Sequence, residues 1–240
     1  MIKQRPAQDS LRVNLDNELV DPGPAESANR HSYPHPQYAS ICLAAAPGLC
    51  SMKAGAVMQV RQGKVEDVPA VMELIRQVVP GMRAQGNFQW GSDYPNTAVF
   101  EGDVAKAQLW VAEVAGKLAG VAAITTDQEP EYAQVGWDLS ELAVVVHRLA
   151  VDPTCQGKGV ATALMLQAEA VARTRGISVL RVDTNTQNEA TQGLFPRLGY
   201  SMAGEIELRI RPGLRFCCYE KRLNDQPKNQ DWVISGGNHG

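Results

Sequence analysis

His147-Arg148-Leu149-Ala150-Val151-Asp152-Pro153-Thr154-Cys155-Gln156-Gly157-Lys158-Gly159-Val160-Ala161 is the run that decides the fold. It opens inside an apolar stretch, 143–151, that reads as a β-strand. It then turns at Asp152-Pro153, passes two glycines, and enters an amphipathic helix expected over 157–175 and ended by Gly176. Glycines let an anion come close to the main chain, because no Cβ intervenes. The free N–H groups of a helix start face such an anion, and the helix dipole favours it. Lys158 adds positive charge. A Walker loop would need Ser or Thr after the Gly-Lys pair, where Gly159 stands. A dinucleotide fingerprint would need a third glycine, where Thr162 stands. The turn is therefore a phosphate cradle of another kind, or a plain strand–turn–helix.

Working outward, strands and helices alternate. A short strand is expected over 58–61. A helix is expected over 66–79, with Val68, Val71, Met72, Ile75 and Val79 at spacings of three and four, stopped by Pro80-Gly81. A loop rich in aromatics follows over 87–96, and a short helix over 97–106. Two apolar strands, 109–114 and 118–125, join through the hairpin signal Gly116-Lys117. Beyond the central run lie a strand at 178–184, a helix at 188–198 weakened by Gly193 and Pro196, and closing strands at 200–207 and 215–221. The class is mixed α/β, over about 165 residues.

Residues 1–57 are rich in Pro, Ser, Asn and Ala, without a period, and read as a disordered extension. Residues 58–223 read as the domain and 224–240 as a loose tail. The formal net charge of −3 over 240 residues gives no electrostatic reason to expect nucleic acid or an anionic membrane. No apolar run reaches the roughly 18–20 residues of a membrane span. Five cysteines, odd in number and without a CxxC, suggest neither disulfides nor a metal site. They read as reduced thiols of a cytoplasmic protein.

Gln156–Ala161 resembles the Q/R-x-x-G-x-G/A signature of the GNAT superfamily of acetyl-CoA-dependent N-acetyltransferases, with Gln156, Gly159 and Ala161 on its fixed positions. Arg148–Pro153 resembles that family's fourth strand. Asn188, Leu194, Leu198, Gly199 and Tyr200 stand where the family often shows N-x5-L-Y-x-x-L-G-F/Y. The resemblance covers roughly residues 58–222. It implies a mixed central sheet with splayed fourth and fifth strands and helices on both faces. It implies acetyl-CoA as co-substrate, without a metal, and an amine of a small molecule or peptide as acceptor. Dimers are common in the family. Backbone groups of Gln156, Gly157, Lys158, Gly159, Val160 and Ala161 would hold the pyrophosphate. Those of Leu149, Ala150 and Val151 would hold the pantetheine arm, which Asn188 would also bond. An N–H near Leu149 would polarise the thioester carbonyl.

Two proton-handling roles are left. The resemblance places the leaving-thiolate acid at Phe195, beside the cofactor, but phenylalanine has no proton to give. Either the thiolate leaves unaided, or water or Tyr200 serves, unless Tyr200 is simply a core aromatic. His147 is the candidate base on the apolar strand, since its ordinary pKa sits near working pH; a structural histidine is the competing role. Strict alternation would put it on the same face as Leu149 and Val151. Glu141 and Glu113 are weaker bases. Asp183 would orient substrate or, by preference, cap its loop. Phe88, Trp90, Tyr94, Tyr132 and Trp137 would line an amine pocket or a small satellite core. Glu101, Asp103, Glu129 and Glu131 would attract an amine or form a solvated face. Cys155 beside the turn would be a modifiable thiol or a plain loop residue. Two other functions stay open: CoA binding without turnover, as a sensor or partner subunit, which Phe195 keeps alive, and a nucleotide-dependent enzyme.

Overall fold

The apolar runs assemble into one sheet. A computed structural model describes residues 11–13 and 57–223. Its strands are β1 (Leu11–Val13), β2 (Met58–Gln62), β3 (Leu109–Val114), β4 (Lys117–Thr125), β5 (Ala143–Val151), β6 (Val179–Asn185), β7 (Ser201–Glu207) and β8 (Arg215–Arg222). Their order in the sheet is β1-β2-β3-β4-β5-β6-β8-β7. Every neighbouring pair is antiparallel except β5 and β6, which run parallel. The mixed α/β class and the mixed central sheet are as expected. Leu11–Val13 lies inside the segment expected to be disordered and pairs with the edge of β2. The rest of that expectation, Val57 aside, and the expected tail lie outside the described residues.

Helices cover both faces. The helix α3 (Val160–Thr174) packs with α4 (Glu189–Arg197) over one face, burying Leu164, Met165, Ala168 and Phe195 against β2–β6 and β8. The helix α1 (Val68–Ala84) packs on the other, burying Val68, Val71, Leu74 and Ile75 with Phe100 of α2 (Thr97–Ala105). On that second face a turn, Pro130–Val135, buries Tyr132 against Val145, Ile206, Phe216 and Cys218.

Helix α1 corrects one expectation, because it runs through Pro80-Gly81 to Ala84. Pro80 is exposed, so its missing N–H and its ring fall on the solvent side. Val78, Val79 and Met82 beyond and around it pack on the second core and offset the lost bond. The true stop is Gly86, at φ +77°. There Gly86 N–H reaches Arg83 O (3.0 Å) and Asn87 N–H reaches Met82 O (3.0 Å), a Schellman closure. In α4, Gly193 and Pro196 are both tolerated within the helix.

The central irregularity is in β5. Ala123 of β4 faces His147 and Val121 faces Ala150. Arg148 and Leu149 therefore stand opposite Ala122 alone, as a β-bulge with Arg148 in the left-handed region, φ +54°. The bulge resets the alternation. Val144, Val146, Leu149 and Val151 pack on the α3 face, whereas Val145 and Ala150 pack on the other. His147 falls on the Val145 side, opposite Leu149 and Val151, which corrects the face expected for it. Pairing of β5 with β6 also ends here, at Val146↔Val182. Beyond that point β6 pairs only with β8, and the two parallel strands part.

Gly120 of β4 lies directly under α3. A Cβ there would sit 2.6 Å from Val160 Cγ1, 3.1 Å from Ala150 O and 3.2 Å from Leu164 Cδ1. We predict that Gly120→Ala destabilises the fold by about 1–3 kcal/mol through overpacking, read as a lower denaturation midpoint at unchanged m-value.

Candidate active site at the parting of two strands

Two cavities meet where β5 and β6 part. The first is a groove of about 630 Å³ on the α3 side. It is lined by Leu149, Ala150 and Val151, by Cys155, Gln156, Gly157, Gly159, Val160, Ala161 and Thr162, and by Asn188, Thr191 and Leu194 of the α4 region. The second is a cavity of about 90 Å³ that reaches the opposite face. Its walls include His147, Arg148, Asp183, Glu129, Tyr94, Gln89 and Arg211. Leu149, Asn188 and Thr191 line both. A ligand lying in the groove can therefore be met, through the gap in the sheet, by a second one arriving from the other side.

The groove is made mostly of main chain. Asp152 fixes the turn, its carboxylate accepting from Thr154 N (2.7 Å) and Thr154 Oγ1 (2.6 Å). Gly157 and Gly159 then sit at φ +74° and +80°. Gly159 is the N-cap of α3, and no side chain caps that helix. Its first N–H groups thus lack an internal acceptor and line a groove, a fit for a phosphate-bearing ligand. Lys158 lies beside the turn but does not line the groove. Asn188 caps α4 by accepting from Thr191 N at 3.4 Å. Thr191 Oγ1, 2.7 Å from Thr184 Oγ1, ties α4 to β6 at the junction.

The smaller cavity is made of side chains from distant segments. Arg148 projects from the bulge to Asp103 of α2, as a fork at 2.8 and 2.7 Å, and to Tyr94 Oη at 3.1 Å. Asp183 accepts a 2.5 Å bond from the buried Tyr132 hydroxyl. It is not the loop cap that was favoured for it; Asn185 does that, accepting from Gln187 N at 2.9 Å. Burial and the adjacent Asp183 charge push the Tyr132 phenol well above its ordinary range. His147 Nε2 lies 3.1 Å from Asp127 O. Glu129 is half-buried; its main-chain carbonyl accepts from Tyr132 N at 3.0 Å, but its carboxylate has no hydrogen-bond or ion-pair partner among the described residues. Burial raises its carboxyl above the usual range; the charges of Asp183 and Glu131 add to this, while His147 and Arg148 oppose it.

Of the residues expected here, Tyr200 is out of place. It lines neither cavity, its hydroxyl is buried without a partner, and burial with the Glu169 charge raises its pKa. It packs beside Phe195, as a core aromatic does. Phe195 lines the small cavity rather than the groove. Glu141 pairs with Arg222 and Arg181, and Glu113 with Arg61, away from the site. Of the four acids Glu101, Asp103, Glu129 and Glu131 only Glu129 lines the small cavity, since Asp103 pairs with Arg148, Glu131 with Arg209, and Glu101 is exposed. The aromatics divide. Tyr94 and Trp90 line the small cavity, while Tyr132 and Trp137 pack edge to face in a satellite core. Thr191 and Arg211 were not anticipated. Arg211 reaches Gln89 across 122 positions, a proximity no local pattern encodes. Among the described residues no His/Cys/Asp/Glu group could hold a metal ion, and no helix is long and apolar enough to cross a membrane.

Comparison with known proteins agrees with this fold. The acetyltransferase (GNAT) family model matches residues 78–200. N-acetylaspartate synthetase of Xenopus tropicalis is 28% identical over 113 residues, 47% of this chain and 38% of that protein. The chain thus spans well under half the length of that relative. A GNAT-family acetyltransferase of Streptococcus agalactiae is 25% identical, with a TM-score of 0.61 over 70% of this chain and 96% of its own. An acetyltransferase of Salmonella typhimurium, solved with acetyl-CoA, shares the fold at 20% identity, with a TM-score of 0.51 over 71% and 96% of the two chains.

The geometry of the turn is testable. At Gly159 a Cβ would meet nothing within 4 Å, so its substitution is limited by φ and not by space. Gly159→Val is expected to cost about 1–2 kcal/mol of stability. It should leave the fold cooperative while removing stabilisation by CoA in a thermal-shift titration.

Proposed function

The chain belongs to the acetyltransferase (GNAT) family, and we propose that it transfers an acetyl group from acetyl-CoA to a primary amine of a small molecule or peptide by direct attack. The observation that carries this reading is the junction of the two cavities at Leu149, Asn188 and Thr191. A phosphate-fitting groove on one face of the sheet opens there onto a pocket of titratable groups on the other.

Acetyl-CoA supplies the acetyl group already activated as a thioester. The N–H groups at the start of α3 would hold its pyrophosphate. The edge of β5 from Leu149 to Val151, which has no partner on β6, would hold the pantetheine arm as an added strand does. An N–H near Leu149 is suited to polarise the carbonyl. The incoming ammonium must give up a proton before it can attack. Glu129 is the proposed acceptor: it is unpartnered, half-buried, and held above the usual carboxylate range. His147 is the second candidate, with one ring nitrogen engaged by Asp127 O. The departing thiolate takes its proton from water, since Phe195 has none to give and Tyr200 lies outside both cavities.

Two outcomes are expected. Acetyl-CoA at about 100 times its Kd should stabilise the protein by about 2.7 kcal/mol, and ATP and NAD at the same concentrations should not; an equal response to ATP would point to nucleotide chemistry. The second outcome concerns pH. A raised Glu129 is protonated, and idle as a base, at the acid end, so kcat/KM should rise with pH through its pKa. In Glu129→Gln that limb should disappear, with kcat/KM down by roughly 100-fold or more. In His147→Ala the limb should persist. The reverse pattern would assign the base to His147.

A further inference from the structure

The small cavity contains two arginines in different states. Arg148 has its guanidinium committed to Asp103 and Tyr94. Arg211, on the loop between β7 and β8, has no carboxylate partner among the described residues. Its Nε donates to Gln89 O at 3.0 Å and its Nη1 to Ile210 O at 3.1 Å, and the guanidinium lies over the Tyr94 ring, 4.6 Å from the centroid. Gln89 is braced in turn, its Oε1 accepting from Asn185 N at 3.1 Å. These contacts hold the plane of the guanidinium still and leave Nη2 without an acceptor among the described residues. A planar, preorganised fork with donors to spare is suited to a carboxylate.

The same cavity holds unpartnered Glu129 and, beside it, His147 and Asp183. An uncommitted cation and an uncommitted anion thus share a space of about 90 Å³. That space is well below the several hundred Å³ of an ordinary ligand pocket. A small zwitterion complements both charges. A peptide N-terminus brings an ammonium but only a neutral amide carbonyl, and would leave Arg211 desolvated without an ionic partner. We infer that the acceptor is a free amino acid or another small α-amino carboxylate, its carboxylate forked by Arg211 and its amine turned toward Glu129 and the Leu149 edge of β5. The inference rests on the acetyl-transfer reading and specifies its substrate class.

The test uses the full chain and matched pairs: glycine, L-alanine, L-serine, L-aspartate and L-glutamate against the α-amide of each. Thiol release from acetyl-CoA gives kcat/KM, and calorimetry gives affinity with and without CoA. At least one acid should exceed its amide by roughly 10- to 100-fold, the scale of a charge-assisted fork. In Arg211→Gln that ratio should collapse toward one through KM. Arg211→Lys, which keeps the charge without the fork, should retain part of it. Equal handling of acid and amide throughout, or an acid preference that survives in Arg211→Gln, overturns the inference. Failure of acetyl-CoA to bind or react would instead remove the acetyl-transfer reading, while the calorimetric acid-to-amide ratio without CoA still decides the role of Arg211.

Discussion

A left-handed arginine in the middle of the sheet is the constraint on which the site depends. Placing a non-glycine residue at positive φ costs on the order of 1 kcal/mol, and such a conformation persists only where its surroundings demand it. Here the demand comes from the side chain. The Arg148 guanidinium is forked onto Asp103, and both are largely buried, with 14% and 7% of their side chains exposed. Loss of either partner would strand a charge in the core, which is far costlier than the bulge. The ion pair therefore fixes the bulge. The bulge places an extra residue in β5, turns Leu149 toward α3 and His147 away from it, and coincides with the end of pairing to β6.

One rung before the parting, the same two strands are held shut. Arg181 of β6, 1% exposed, lies in register with Val145. It bonds Glu220 at 3.0 Å, Asp138 O at 3.1 Å, Glu141 at 3.3 Å and the Gln128 side chain, and stacks on Trp137 at 4.8 Å. With the last rungs so tied and β5 bulged just beyond them, the parallel strands open as a wedge at a fixed position. The wedge joins the two faces of the sheet. The groove is lined by one continuous segment, 149–162, together with α4, and the small cavity by side chains from many separate segments. The two halves of the site thus differ in how they are encoded.

That difference explains what could be read in advance. The main-chain lining of the groove was legible because its chemistry is local, whereas Lys158 lies beside it, Phe195 lines the small cavity, and Thr191 comes from α4. Two glycines, a strand before them and a helix after them place N–H groups wherever that segment folds, whatever surrounds it. The same holds for the hairpin at Gly116, where Ala115 and Gly116 both take positive φ, and for the buried stripe of α1. The passage of α1 through Pro80 was not legible, because the burial of Val78, Val79 and Met82 that carries it depends on a core assembled from other segments.

The sequence alone determined the mixed α/β class, the order of the elements, the family resemblance and the phosphate-fitting turn, because these follow from periodicity and backbone geometry over short spans. Only the tertiary structure decided the face of His147, the withdrawal of Tyr200 into the core, which of four similar acids lines the small cavity, and the presence of Arg211 there. Each of those turns on contacts between residues tens of positions apart, such as Arg148 with Asp103 and Arg211 with Gln89. A charge has the same appearance in sequence whether it meets water or a partner. Burial and pairing separate the two, and both are properties of the folded chain.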